Sequence, residues 1–179
     1  LDSPGIGDYG SHFALELAPF LKREVCFGGR LGLAGRSSGG YGSLRLAMDH
    51  PGVFEAVACH AGDMAFGAGY CSDLVPAIKA IRQAGNPKSF IEAFWKKHRF
   101  GHDDFAAMNI LCMSAAYSSG EPTADFPVPL PICHESGNID FDVFLSWSRH
   151  DPLSLIEHAS NQEALRELRL LFIDAGDRD

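Results

Sequence analysis

With 179 residues, 46% of them hydrophobic and 21% charged, the chain has the size and composition of one globular domain with a real core. Its formal net charge of −8 argues against a nucleic-acid or anionic-membrane partner, which would select a basic face. No apolar run approaches the roughly 18 residues that span a bilayer and no signal-peptide pattern opens the chain. The five cysteines (Cys26, Cys59, Cys71, Cys112 and Cys133) are scattered without a C-x-x-C, which reads as free thiols in a cytoplasmic protein.

Residues 1–8 hold Pro4, Gly5 and Gly7 and read as a loop. Tyr9, Phe13, Leu17, Phe20 and Leu21 then recur at helical spacing, predicting an amphipathic helix to about Arg23. A loop through Gly28-Gly29 leads to Leu31, Leu33 and Ala34, a short apolar run of the kind that forms a buried strand. Directly after it stands Gly35-Arg-Ser37-Ser-Gly39, a G-x-S-x-G, followed by Tyr41, Leu44 and Met48 at helical spacing. Strand, tight turn and helix are the context that a nucleophile elbow needs: the central serine takes a strained backbone conformation, and small neighbours let the two chains pass. No Lys follows these glycines as a Walker phosphate loop requires, and their spacing does not fit a dinucleotide fingerprint.

Pro51 predicts that this helix stops near Asp49-His50. Val53–Cys59 then supplies a second buried strand, with His60, Gly62 and Asp63 just past its carboxyl end. The alternation implies parallel strands joined by right-handed crossovers. From about Met64 the rhythm turns helical. Leu74, Ile78 and Ile81 form a stripe behind a Ser72/Asp73 cap; Phe90, Ile91, Phe94 and Trp95 form one behind Asn86-Pro87; Phe105, Met108, Cys112 and Ala116 form one behind Asp103 and Asp104. Pro122, Pro127, Pro129 and Pro131 mark an extended surface segment, and Phe141, Phe144 and Leu145 one more short helix. Leu168–Asp174 returns to strand character, its near-continuous apolar run suiting a strand buried on both faces. The expected organisation is therefore a core over residues 1–63, a mostly helical lid insert over 64–167, and a last core strand with its loop over 168–179.

A serine nucleophile needs a base to take its proton and an acid to orient that base. Asp174, Asp177 and Asp179 are candidates for the acid, and no histidine follows them in this sequence. His60 precedes the acid and would have to reach Ser37 from the wrong loop, so pocket lining is its expected role, together with Asp63, Arg36 and Tyr41. His98, His102 and Asp103 are interrupted by Gly101, and no metal or cofactor is expected.

These residues resemble the esterase branch of the α/β-hydrolases, which includes S-formylglutathione hydrolase, enterochelin esterase, feruloyl esterases and the mycolyltransferases. The likeness is carried by Asp2-Ser-Pro-Gly-Ile-Gly, Leu15–Phe20, the elbow from Ala34 to Leu44, His50–Asp63 and Leu170–Asp179. It implies an α/β-hydrolase fold, Ser37 as nucleophile, the Ser38 N–H as oxyanion donor and Asp179 as the acid. It also implies that the early strands and the catalytic histidine lie outside these residues, so that the chain is an internal fragment, incomplete at both ends and expected to be inactive alone. The expected activity is hydrolysis of a small-molecule ester or thioester by a serine esterase through an acyl-enzyme. An acyltransferase and a non-catalytic binding module on the same fold are the alternatives.

Overall fold

The computed structural model describes residues 2–3, 6–25 and 29–176. Two compact units emerge: Leu1–Asp2, Asp8–Ala65 and Arg149–Asp179 form one, and Ser3–Gly7 with Phe66–Ser148 the other.

The first unit is built on a parallel three-stranded sheet. Gly32–Arg36, the elbow strand, pairs with the central strand Ala56–His60, which pairs in turn with the outer strand Leu170–Asp174. The register brings Arg36, His60 and Asp174 into one row at the carboxyl ends. The elbow helix, Ser38–Asp49, ends where Pro51 predicts, and packs on the sheet through Leu44, Ala47 and Met48 against Val57 and Cys59. Its Leu46 faces a second cluster with Ala14, Ala18, Leu31 and Phe54. Helix Ala159–Arg166 closes the first cluster, with Leu165, Leu168 and Leu155 at its margin. Burial of this kind stabilises by about 25 cal/mol per Å² of apolar surface removed from water.

The predicted helix from Tyr9 extends to Glu24, but its middle, His12–Leu17, is a π-helix. The wide turn lies directly ahead of Pro19. In a regular helix the proline ring would press on the carbonyl four residues back, and opening the turn relieves that crowding.

In the second unit, helices Cys71–Ala84 and His102–Tyr117 form the main pair, with Pro87–Phe94 beside them. The Asn86 cap is made as expected: its side chain accepts from the Ser89 N–H, with Pro87 opening the helix. The Ser72/Asp73 cap is not, since the helix already starts at Cys71 behind Tyr70. On His102–Tyr117 the predicted core stripe is the wrong face. Phe105 and Cys112 are exposed, while Ala106, Ala107, Ile110, Leu111 and Ser114 are buried. The proline-rich segment does not run over the surface throughout, because Phe126, Val128 and Ile132 are buried. Phe66, Tyr70, Tyr117 and Phe144 gather around a fully buried Trp147, whose indole N–H donates to Ser118 Oγ at 2.9 Å; Trp95, by contrast, is 77% exposed.

The largest surprise of the fold is the outer strand. All five of its residues are exposed, against the expectation of burial on both faces. Among the described residues, no helix is long and apolar enough to cross a membrane.

Candidate active site

Ser37 links the elbow strand to the elbow helix with φ 55° and ψ −125°. This is a left-handed conformation that destabilises an L-residue by about 1–3 kcal/mol and persists only where the surroundings enforce it. Here they do. The Ser37 N–H donates to the His60 carbonyl at 2.9 Å, and the Ser37 carbonyl accepts from the Tyr41 N–H at 3.0 Å. A Cβ on Gly35 would stand 2.1 Å from the Gly39 carbonyl oxygen, so glycine is required for the strand to pass the helix.

The central strand supplies the floor. A Cβ on Gly62 would meet Cys59 Sγ at 2.4 Å and the backbone of Gly40 and Tyr41 at 3.0 Å. The elbow helix therefore rides directly on the turn that follows the central strand, with the fully buried Cys59 thiol beneath. Burial raises the pKa of that thiol, the carboxylates of Asp174 and Asp63 push it further up, and a Gly62 backbone hydrogen bond opposes them.

The turn at 61–65 carries two more left-handed L-residues, Ala61 (φ 44°) and Ala65 (φ 52°). It is fastened at both ends, by the Ala61 N–H to the Asp174 carbonyl at 2.8 Å and by the Ala65 N–H to Asp151 Oδ1 at 3.1 Å. Between these anchors Asp63 reaches the elbow, with its Oδ1 3.4 Å from Ser37 Oγ. That separation exceeds an ordinary O–H···O bond, so the hydroxyl is faced by the carboxylate without being tied to it.

His60 and Asp174 pair across neighbouring strands, Nδ1 to Oδ1 at 2.8 Å, with the Phe172 ring 5.5 Å from the imidazole. A carboxylate only accepts, so Nδ1 carries the proton in this pair. Among the described residues, the side chain that Ser37 Oγ meets is Asp63 and not His60. Register places His60 on the sheet face it shares with Arg36. Arg36 is exposed, and Tyr41 is buried, its side chain engaged with Arg45. Ser38 opens the helix, so its N–H has no intrahelical acceptor and sits at the positive end of the helix dipole. Asp177 and Asp179 lie outside the described residues.

Sequence reading placed Ser37, His60 and Asp63 at the carboxyl ends of the strands but gave no sign that Asp63 faces the serine, or that Cys59 and Asp151 hold the intervening turn. Two left-handed alanines decide that geometry, and alanine carries no signal for positive φ. Among the described residues no three His, Cys, Asp or Glu side chains gather as metal ligands.

No curated protein matches the chain. A family model, described as "Putative esterase", matches residues 3–179. With nearly the whole sequence aligned to it, and an α/β architecture that turns from strand to helix through Ser37, the chain belongs to the putative esterase family, an esterase branch of the α/β-hydrolases.

Proposed function

We propose that this esterase is a serine carboxylic-ester hydrolase that works through an acyl-enzyme, with Ser37 as nucleophile. The observation that carries the reading is the backbone of Ser37, a non-glycine residue held at φ 55° between a parallel strand and a helix whose glycines leave no room for a Cβ at Gly35. Strain kept at one exposed serine, at the carboxyl edge of a parallel sheet, is the signature of a residue selected for its reactivity.

In the proposed reaction Ser37 Oγ attacks the ester carbonyl carbon while a histidine takes the hydroxyl proton. The Ser38 N–H donates to the oxyanion that develops, at the helix end where negative charge is favoured. The tetrahedral intermediate collapses, the C–O bond to the alcohol breaks, and the histidine returns the proton to the departing oxygen. Water then repeats the sequence on the acyl-serine and releases the carboxylic acid. Asp179 orients the histidine, which follows it in the family's chain order.

The test is Ser37→Ala in the full-length protein, assayed on p-nitrophenyl acetate, with fluorophosphonate labelling mapped by mass spectrometry. Turnover falls by at least three orders of magnitude and the label sits on Ser37. A label on another residue, or unchanged turnover, removes Ser37 from this role.

A further inference from the structure

Beside the proposed nucleophile stands a carboxylate that ester hydrolysis does not call for. The turn that presents it is among the most heavily constrained parts of the described chain: Ala61 and Ala65 are both left-handed, Gly62 is wedged against Cys59 and the elbow helix, and both ends are hydrogen-bonded. One anchor, Asp151, is itself buried. The turn holds two strained alanines, and it places Asp63 Oδ1 at 3.4 Å from Ser37 Oγ.

The charge placed there acts against the reaction by itself. In acyl transfer the carbonyl oxygen becomes negative, and preorganised positive dipoles speed the step. A half-buried carboxylate next to the attacking oxygen does the reverse, and it repels anionic esters. Among the described residues no ion pair neutralises Asp63, while the neighbouring Asp174 has His60 for a partner. The cationic partner that Asp63 lacks among the described residues is one that a substrate can bring.

Resting on the assignment of Ser37 as nucleophile, we propose that Asp63 is the specificity-determining residue of the site, and that the preferred substrates are esters with a protonated amine near the scissile carbonyl, paired with Asp63. Pairing removes the opposing charge at the moment the oxyanion forms, so the preference is expressed in kcat/KM.

The experiment compares cationic esters with neutral isosteres in the full-length wild type and in its Asp63→Asn variant. On the alcohol side the pair is 2-(dimethylamino)ethyl acetate and 3-methylbutyl acetate; on the acyl side it is methyl 3-(dimethylamino)propanoate and methyl 4-methylpentanoate. The wild type prefers the cation at least about ten-fold in one of the two pairs, and Asp63→Asn brings that ratio close to one. Equal turnover of both members of each pair in the wild type, or a preference that survives Asp63→Asn, overturns the proposal. The amides of the same acids and amines, titrated by ligand-observed NMR into Ser37→Ala, read the cation preference without turnover. Preferred binding of the cationic amide there, lost in Ser37→Ala/Asp63→Asn, supports Asp63 even if Ser37 proves not to be the nucleophile; equal binding of the cationic and neutral amides overturns it.

Discussion

The central and outer strands of the sheet are register partners with similar apolar content, and they meet different fates. Val57 and Cys59 are 1% and 0% exposed, while their partners one strand away, Leu171 and Ile173, are 40% and 52% exposed. The elbow helix covers the first pair, and among the described residues nothing covers the second to the same degree. An apolar run therefore announces that a segment will join a sheet but leaves open what will lie on it. Cover is decided by which helix follows which strand, and the short elbow connection lays its helix on the middle of this sheet.

That contrast can be broken most forcefully at the elbow. Gly35→Ala puts a Cβ 2.1 Å from the Gly39 carbonyl oxygen, backbone that cannot yield, and we expect a loss of about 4 kcal/mol or more in urea unfolding. Gly32→Ala, on the same strand but 3.4 Å from Ala56 Cβ, stays within about 1 kcal/mol. The strand comparison itself is sharpened by truncating register partners. Val57→Ala destabilises by about 2 kcal/mol and Leu171→Ala by about 1 or less, and equal losses would mean that the outer strand is covered after all.

A smaller effect isolates strain from chemistry. Ser37→Gly is expected to be more stable than Ser37→Ala by about 1 kcal/mol, because glycine adopts φ 55° freely while alanine keeps the strained Cβ. Both variants lack the hydroxyl, so thermal melts of the pair show whether the elbow is held against its own preference. The smallest effect is in pH. Burial, and then the nearby Arg45, hold His150 below the usual histidine value of 6.5. The folded state favours its neutral form, so the unfolded chain takes up the proton first. Stability is then whole above pH 6.5 and declines as pH falls below it, and His150→Asn flattens that decline in melts taken across pH 5–7.

How far the fold is legible from sequence depends on how local its causes are. The elbow, its strand and the stop at Pro51 are set by neighbours a few residues apart, and all three can be read directly. The buried face of His102–Tyr117 cannot, because that helix is apolar nearly all round: Phe105, Met108 and Cys112 satisfy helical spacing as well as Ala106, Ile110 and Leu111 do. Where two stripes fit, only the neighbouring helix chooses between them. The approach of Asp63 to Ser37 is less legible still. It depends on two alanines in a conformation that their identity does not suggest and on an anchor, Asp151, 86 residues from the N–H that it holds.

The placement of the tryptophans bears on how any of these melts is read. The chain has two, Trp95 and Trp147, and both belong to the second unit. Trp147, sealed among aromatic rings, should emit in the blue and resist iodide quenching, whereas the exposed Trp95 should emit near the wavelength of free indole in water and quench freely. The unit that contains Ser37 has no such fluorophore. Tryptophan fluorescence, excited selectively over tyrosine, therefore tracks the disassembly of the second unit alone, and a fluorescence midpoint that parts from the loss of circular dichroism would mean that the two units unfold as separate steps.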